Sequence, residues 1–376
     1  MTKAELLSIG AELLLGETVD TNAAFLGAEM ADVGLPLRRA RMLPDDRSVL
    51  RDAFADAMAA SAVVVATGGL GPTHDDLSRE GLADALGEEL QEDPALIADL
   101  EERFRSLGPM PAANRRQAMR VPSAESLPNP IGSAPGWFVE RDGVVVVLMP
   151  GVPSEMRRMW AEQVRPRMER RFSLPPLVTR TVKAFGIGES AVAERLGELL
   201  TAPPDGVEAG IYARDDGVHA RFSTRGEQAP LDSLAAEARS RLGEAAYGTD
   251  ADDLASAALD RLGALGVGTL ASWESDTQGA LLAILAGTAG REAAATYVGG
   301  VLDAGTPTGP PLADAVIQLS LLPPQASGRS RVRVALSGAV AMPTTELRIH
   351  GSGPQRLRRA AYAALDAVRR LNSSGR

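Results

Sequence analysis

Apolar runs and segments of helical spacing alternate along the first part of the chain. Residues 62–66 and 144–149 are short runs rich in valine, as in buried strands, whereas Phe25, Leu26 and Met30 recur at intervals that place them on one side of a helix. The pattern predicts strands over residues 4–9, 62–66 and 144–149 and helices over residues 21–33, 49–60 and 77–86. Strands that alternate with helices indicate a parallel sheet covered on both faces.

The loops that follow the predicted strands are expected to meet at one edge of this sheet. Ligands of open α/β sheets bind outside the carboxyl ends of the strands. The loops after Ile9, Ala66 and Met149 are also the loops richest in Gly, Pro, Asp and Glu. A ligand site formed by these three loops is therefore predicted.

The pattern changes after residue 172. A pair of prolines at residues 175–176 is typical of a connector. The elements predicted beyond it are a strand over 179–185, a helix over 190–200 and a hairpin of strands 211–213 and 219–223. From about residue 251, helices and strands alternate again. We therefore expect three domains: an α/β domain over residues 1–172, a small α+β domain over 173–250 and an α/β domain over 251–376.

The composition excludes several kinds of chemistry. The 376 residues include no cysteine and three histidines, so disulfides, thiolate nucleophiles and cysteine-held metals are excluded. A bound metal must be held mostly by oxygen, which favours Mg²⁺, Mn²⁺ or another divalent ion such as Co²⁺. With a net charge of −10, no basic face for nucleic acid is expected. Because the sequence has neither a signal pattern nor a long uncharged apolar stretch, we expect a cytoplasmic protein without a membrane partner.

The loop that follows the first valine-rich run combines glycines with adjacent carboxylates. It reads Thr-Gly-Gly-Leu-Gly-Pro-Thr-His-Asp-Asp over residues 67–76. Its three glycines let backbone N–H groups approach an anion, whereas Asp75 and Asp76 tolerate a phosphate only when a divalent cation lies between. The loop therefore predicts a metal-bridged phosphate ester or anhydride. The alternative is a Gly-Pro turn followed by the acidic start of a helix.

Six segments, in order, match one known family. They are residues 8–16, 20–22, 67–76, 114–118, 129–136 and 149–156. Through them, the first 170 or so residues resemble the N-terminal domain of CinA, the competence and damage-inducible family. The resemblance implies a three-layer fold similar to the molybdopterin-binding proteins MoaB and MogA. It also implies divalent-metal-dependent hydrolysis of ADP-ribose, a small-molecule nucleotide, to AMP and ribose 5-phosphate, and a homodimer.

Carboxylates of these segments are the candidates for catalysis. We assign catalysis to Asp75, Asp76 and Asp20 and metal binding to Asp75, Asp76 and Glu12, with one carboxylate free of metal to orient the attacking water. The residues assigned to the nucleotide and its phosphates are Gly10, Glu12, Thr21, Asn22, Thr67, Gly68, Gly69, Gly71, Pro72, Thr73, Asn114, Arg115, Gly132, Pro150, Gly151 and Glu155. The alternative for residues 20–22 is a helix N-cap, and the alternative for residues 114–115 is the solvated start of a helix.

The middle segment resembles the start of the family's KH-like domain. Residues 183–190 read Lys-Ala-Phe-Gly-Ile-Gly-Glu-Ser. The glycines at positions 186 and 188 are similar to the loop by which KH domains hold nucleic acid backbones. Because few basic residues lie nearby in the sequence, RNA or DNA binding is not expected.

The C-terminal segment departs from the family's deamidase motif. Active relatives deamidate nicotinamide mononucleotide with a loop reading Glu-Ser-Cys-Thr-Gly-Gly, followed by a tyrosine and a lysine. The degenerate positions here are Ser275, Asp276, Thr277, Gln278 and Gly279. Asp303 and Ala304 stand where the tyrosine is expected, and no lysine follows Lys183. A serine without its basic partner stays weakly nucleophilic, so we predict no deamidase activity and a packing or oligomerisation role.

Two interpretations of the chain differ in class. The first is a metal-dependent ADP-ribose pyrophosphatase in the N-terminal domain, which Asp20, Asp75 and Asp76 favour. The second is a catalytically silent nucleotide-binding protein with a regulatory or scaffold role linked to competence or the DNA damage response. A role in molybdenum cofactor chemistry is a third, based on fold analogy alone.

Overall fold

The chain divides into two compact units, Met1–Leu177 and Val178–Arg376. The computed structural model describes residues 3–106, 108–172, 175–288, 292–302, 313–323 and 330–372. Each unit has its own sheets and apolar cores.

The first unit is a mixed α/β structure. Its elements are β1 (Ala4–Ile9), α1 (Ala11–Leu14), α2 (Thr21–Asp32), β2 (Leu37–Leu43), α3 (Arg47–Ala60), β3 (Val63–Thr67), α4 (Ser78–Leu86), β4 (Gln91–Glu92), α5 (Pro94–Phe104), a 3₁₀ turn (Ala112–Ala118), β5 (Met119–Arg120), β6 (Ala124–Leu127), β7 (Gly136–Arg141), β8 (Val144–Met149), α6 (Pro153–Met159), a π-helical turn (Trp160–Val164) and α7 (Arg165–Phe172). The strands and helices predicted from the hydrophobic pattern are present, with small shifts at their ends.

Six strands form the main sheet in the order β2-β1-β3-β8-β7-β6. The first four are parallel, with Leu6 opposite Val65 and Val65 opposite Val147. The remaining two are antiparallel, which corrects the prediction of a purely parallel sheet. The reason is a tight turn at Asp142 and Gly143, both with positive φ, which returns β7 directly into β8.

Apolar cores lie on both faces of this sheet, as predicted. Val64 of β3 faces the core that contains Phe54 of α3, and Val63 and Val65 face the core that contains Leu26 of α2. Alternate valines of one strand thus enter opposite cores, which is why the strand is a continuous apolar run.

The start of α3 shows how a local polar signal sets an element boundary. The apolar spacing predicts a helix from residue 49, whereas α3 begins at Arg47. Asp46 caps it, because its Oδ1 accepts hydrogen bonds from the N–H groups of Ser48 at 2.9 Å and Val49 at 3.0 Å. Capping therefore extends the helix beyond its apolar stripe.

The second unit contains two sheets. Its elements are β9 (Leu177–Ala184), α8 (Glu189–Leu196), α9 (Glu198–Thr201), β10 (Val207–Arg214), β11 (Gly217–Arg225), α10 (Ala229–Leu242), a 3₁₀ turn (Gly243–Ala245), β12 (Ala246–Thr249), α11 (Leu254–Ala264), β13 (Thr269–Ser275), α12 (Ala280–Ala286), β14 (Thr296–Leu302), β15 (Ala315–Leu321), β16 (Ser330–Gly338), β17 (Met342–Ile349) and α13 (Gly353–Arg369). The sheet orders are β10-β11-β9-β12 and β14-β13-β15-β16-β17.

The predicted middle segment is present with two differences. The hairpin of β10 and β11 is longer than predicted, and the single helix predicted over residues 190–200 is two helices. Gly197, with φ of 51°, separates α8 from α9 because this left-handed conformation ends a helix. Both sheets belong to one compact unit, so the boundary near residue 250 stays a prediction.

Within the described residues, no helix has the length and apolar character needed to cross a membrane.

Candidate functional site

A cavity of about 470 Å³ opens at the carboxyl ends of β1, β2, β3 and β8. The predicted site residues that line it are Gly10, Glu12, Gly68, Gly69, Gly71, Pro72, Asp75, Asp76, Pro150, Gly151 and Glu155. Lining residues that were not predicted are Ile9, Asp45, Leu70, Gln117, Ser133, Ala134 and Val152. The three predicted loops therefore meet at one edge of the sheet. We call this cavity the acidic cleft.

The glycine loop after β3 is held in a conformation that only glycine accommodates well. Gly68 and Gly69 have φ of 101° and 62°. A Cβ at Gly68 would lie 2.0 Å from the carbonyl oxygen of Ile9, and one at Gly69 would lie 2.2 Å from the Oγ of Ser78. Close packing against β1 and α4 therefore requires both glycines.

Two of the three loop glycines do not offer their N–H groups to a ligand, which corrects the expectation for the loop. Gly68 donates to the carbonyl of Met149 at 3.0 Å, and Gly71 donates to the Oδ1 of Asp76 at 2.7 Å. The N–H of Gly69 has no acceptor in the described part of the chain. It is the loop glycine that remains available to an anion in the cleft.

Asp76 organises the loop from within. Its Oδ2 accepts from the N–H of Thr73 at 2.8 Å and from the Thr73 hydroxyl, while its Oδ1 accepts from Gly71. A Cβ at Gly71 would lie 2.4 Å from Oδ2, so the carboxylate occupies the space that this glycine leaves. Thr73 therefore helps to position Asp76 and does not itself line the cleft.

Two arginines that sequence reasoning missed support the same loop. Arg79 is 1% exposed and donates to the carbonyls of Leu70 at 2.9 Å and Gly71 at 2.8 Å. Burial lowers the pKa of its guanidinium to about 10, which leaves it charged at neutral pH. Arg116 donates to the carbonyls of Thr73 and Asp76. For Arg79, the sequence signal of this role is its position within the apolar face of α4, the helix that follows the loop.

Glu12 and Glu155 also lie beside glycines. A Cβ at Gly10 would be 2.5 Å from Glu12 Oε1, and one at Gly132 would be 2.3 Å from Glu155 Oε2. Asn129 donates to Glu155 Oε2 at 2.6 Å. Gly10 and Gly132 thus have a steric role, since they make room for the carboxylates that line the cleft.

Asp45 is the carboxylate that the sequence analysis missed. It follows β2 and accepts a hydrogen bond from the N–H of Ala11 at 2.9 Å. Burial raises the pKa of its carboxyl, and the charges of Glu12, Asp75 and Asp76 raise it further. The pKa of Asp75 is instead lowered, mainly by its interaction with the side chain of Thr73. The cleft therefore holds carboxyls whose pKa values are shifted in opposite directions, as in many acid-base sites.

The segment at residues 20–22 caps α2 and does not line the cleft. Asp20 Oδ1 accepts from the N–H of Ala23 at 2.8 Å, and Thr21 is the first residue of the helix. Asn22 donates to the carbonyl of Gly151, a cleft residue, at 2.8 Å. Asp20 Oδ2 and Asn22 Oδ1 are buried and have no hydrogen-bond partner within the described residues. The N-cap alternative is therefore the observed structure, and Asn22 positions the third loop.

Neither Asn114 nor Arg115 lines the cleft. Asn114 donates to the Oε1 of Gln117 at 2.9 Å, and Gln117, which does line the cleft, lies 3.4 Å from the carbonyl of Leu70. Arg115 pairs with Glu92 at 2.8 Å. The expectation of direct phosphate contacts is thus corrected to an indirect role for Asn114. Thr67 ends β3, opposite Met149 in the sheet.

The side chains that line the cleft offer oxygen donors, the type of ligand that a hard divalent cation prefers. Glu12, Asp45, Asp75 and Glu155 offer carboxylate oxygens, which Mg²⁺ and Mn²⁺ prefer. Within the described residues, however, no three acidic or histidine side chains already form a metal-binding group. A cation here would take its remaining ligands from phosphate oxygens and water, as Mg²⁺ commonly does.

The degenerate loop of the second unit is folded inward. Glu274 is 1% exposed and accepts from the Thr277 hydroxyl at 2.6 Å and from the N–H groups of Leu281 at 3.0 Å and Leu282 at 2.7 Å. The loop residues with left-handed φ are Asp276 at 60°, Gln278 at 53° and Gly279 at 75°. Ser275 ends β13, and Asp303 and Ala304 lie outside the described residues. The loss of deamidase chemistry stays a prediction.

Fold and site together define the class of the first unit. It is an α/β domain with a glycine loop and carboxylates at the carboxyl edge of its parallel strands. The model of the family described as a probable molybdopterin binding domain matches residues 5–170. The model of the damage-inducible protein CinA KH domain matches residues 179–248.

Curated relatives extend this result. A CinA-like protein of Deinococcus deserti is 43% identical over 298 residues, which cover 76% of this chain and 71% of that protein. A CinA-like protein of Thermomicrobium roseum is 46% identical over 257 residues, 66% of this chain, and the match spans 62% of that protein's length. The chain therefore belongs to the CinA family, and the predicted resemblance is confirmed.

Solved structures are similar to this protein over a limited share of the chain. The crystal structure of the protein CinA with unknown function from Thermoplasma acidophilum is 34% identical, covers 44% of this chain and 97% of that chain, and has a TM-score of 0.42. MoaB from Thermus thermophilus is 20% identical, covers 46% of this chain and 98% of that chain, and has a TM-score of 0.31.

Proposed function

We propose that the first unit hydrolyses the diphosphate of ADP-ribose, or of a related nucleotide, to AMP and ribose 5-phosphate with the help of a divalent metal ion. The observation that carries the proposal is the acidic cleft, where a glycine loop and carboxylates from separate loops line one cavity of about 470 Å³. This volume lies within the range of about 300–1,000 Å³ typical of small-molecule sites.

The electrostatics of the cleft support a metal-dependent reaction. Asp45 lies close enough to Glu12, Asp75 and Asp76 for their negative charges to raise the pKa of its carboxyl. A diphosphate brought beside these carboxylates is repelled unless a cation neutralises the charge between them. The metal supplies that neutralisation when bound, with Glu12 and Asp75 as the residues that would hold it.

The remaining residues have separate roles in this proposal. The N–H of Gly69 binds a phosphate oxygen, and Asp76 keeps the loop in the required conformation. Asp45, whose pKa is raised, accepts the proton of the attacking water. Asp20, predicted as catalytic, is assigned a structural role as the cap of α2.

The experiment that tests the proposal is incubation of the full chain with ADP-ribose and Mg²⁺, Mn²⁺ or Co²⁺, with product analysis by chromatography. AMP and ribose 5-phosphate are expected in equal amounts, and EDTA is expected to abolish their formation. Binding of ADP-ribose without product in any of the three metals would contradict the proposal.

That contrary result would favour the second candidate, a catalytically silent nucleotide-binding protein with a regulatory role. One observation supports this candidate: the described residues contain no preformed group of three metal-binding side chains. Incubation with nicotinamide mononucleotide tests the second unit. We expect no deamidated product, because the cysteine and lysine of the active motif are absent from positions 274–279 and from the chain beyond Lys183.

A further inference from the structure

A second cavity of about 470 Å³ lies within the second unit, beside the glycine loop at residues 186–188. Three arginines from separate elements line it: Arg214 ends β10, Arg348 belongs to β17 and Arg359 belongs to α13. The sequence around the loop has few basic residues, so the fold itself gathers this positive charge. We call this cavity the arginine pocket.

The three arginines are free of acidic partners, in contrast to neighbouring arginines. Arg358 forms an ion pair with Asp215 at 2.6 Å. This ion pair neutralises the carboxylate of Asp215, which lines the pocket. No ion pair or side-chain hydrogen bond engages the guanidinium groups of Arg214, Arg348 or Arg359 within the described residues. A pocket with three unpaired guanidinium groups in a chain of net charge −10 lacks its complementary anion.

The glycine loop leaves backbone accessible at the same place. Gly186 has φ of 82°, and a Cβ at Gly188 would meet no atom within 4 Å. Helix α8 begins at Glu189, directly after the loop, so its first N–H groups lie beside the pocket. Backbone donors and guanidinium groups therefore border one cavity.

We propose that the arginine pocket binds the phosphate group of a small phosphomonoester. Guanidinium groups match phosphate oxygens with paired hydrogen bonds. The cavity is of small-molecule size, and the carboxylate of Glu189 at its border opposes the extended phosphate backbone of a nucleic acid. A compact ligand that carries one phosphate fits this charge distribution better than a polyanion does.

Calorimetric titration of the full chain with inorganic phosphate and with ribose 5-phosphate tests the proposal. EDTA is present throughout, so that a metal-dependent site in the first unit does not contribute. The double variant Arg348→Ala and Arg359→Ala is expected to bind at least about tenfold more weakly than the unmodified chain. Arg239→Ala is the matched control, since Arg239 is an exposed arginine of α10 outside the pocket, and it is expected to bind normally.

Circular dichroism confirms that each variant is folded, which is expected because the altered side chains are without partners. Unchanged phosphate affinity in the double variant would overturn the proposal. Equal weakening in Arg239→Ala would also overturn it, because it would indicate a general charge effect. A single-stranded RNA oligonucleotide that binds the pocket while both phosphate ligands fail to bind would assign the pocket to nucleic acid instead.

Discussion

The loops after β3 and β13 occupy equivalent places in their sheets, but the carboxylates of Asp75 and Glu274 lie in different surroundings. Each follows a parallel strand that has a parallel neighbour on both sides. In the first unit, Asp75 stays exposed in the acidic cleft beside Asp45 and Glu12. In the second, Glu274 is buried and satisfied by three donors of its own loop and helix. Strand position alone therefore does not make a site, because the carboxylate must also meet carboxylates of other loops at a common cavity.

The largest expected effect comes from removing the carboxylate that organises the first loop. Asp76→Ala is expected to lower turnover of ADP-ribose at least about 100-fold, because Gly71 and Thr73 lose their common acceptor beside the cleft. The measurement is the initial rate of AMP formation. Ser275→Ala, the corresponding change at the second loop, is expected to leave this rate unchanged. Equal loss in both variants would contradict the contrast between the loops.

The second prediction concerns the stability of the inward-folded loop. Glu274→Ala is expected to destabilise α12 by about 2–4 kcal/mol, since two helix N–H groups and the Thr277 hydroxyl lose their acceptor in a buried place. Hydrogen exchange of residues 280–286 measures the local free energy of opening. Glu274→Gln, which keeps one acceptor oxygen, is the control and is expected to lose less. Unchanged protection in Glu274→Ala would show that the carboxylate is not structural.

A smaller effect on turnover is expected from the buried arginine of the first unit. Arg79→Met keeps the aliphatic volume but leaves the carbonyls of Leu70 and Gly71 without a donor. The loop should then sample other conformations, and kcat/KM for ADP-ribose is expected to fall about tenfold. Arg115→Met is the matched control, because Arg115 pairs with Glu92 outside the cleft. A loss in the Arg115 variant alone would restore the original expectation that Arg115 holds the phosphate.

Sequence reasoning located the acidic cleft but not all of the residues that shape it. The loops after β1, β3 and β8 were predictable because apolar runs end abruptly at glycines, and such ends share one edge of a parallel sheet. Arg79 and Asp45 were missed for a physical reason. Their roles depend on contacts with residues from other elements or on the charges of distant carboxylates, and neither appears in local spacing.

Capping and glycine packing were ambiguous in the sequence for a similar reason. Asp20 satisfies the rules for both an N-cap and a catalytic carboxylate, and only the contact with Ala23 separates them. Gly132 is a turn residue by sequence, but its position against Glu155 becomes visible only in three dimensions. The antiparallel strand β7 had a local signal in the Asp-Gly turn before β8, and that signal was overlooked.

The smallest expected effect is a pair of stability changes of opposite sign at two neighbouring carboxylates, Asp45 of the cleft and Asp46, which caps α3. The folded-state pKa of Asp45 is raised by burial and by Glu12, Asp75 and Asp76, so its ionised form opposes folding at neutral pH. Asp45→Asn is therefore expected to raise the melting temperature without metal by about 1–2 °C. Thermal unfolding in EDTA measures the change. The gain is expected to shrink as the pH falls toward the ordinary pKa of about 4, because the unmodified carboxyl then becomes protonated.

Asp46→Asn is the control with the opposite sign. The pKa of Asp46 is lowered by hydrogen bonds from the Ser48 hydroxyl and from the N–H groups of Val49 and Ser48, so its ionised form stabilises the fold above the ordinary pKa. Asp46→Asn is expected to lower the melting temperature at neutral pH, and the difference from the unmodified chain should vanish as the pH falls through the lowered pKa. A destabilised Asp45→Asn would mean that its carboxylate is satisfied in the way Glu274 is, and the contrast between the carboxylates of the acidic cleft and Glu274 would then fail.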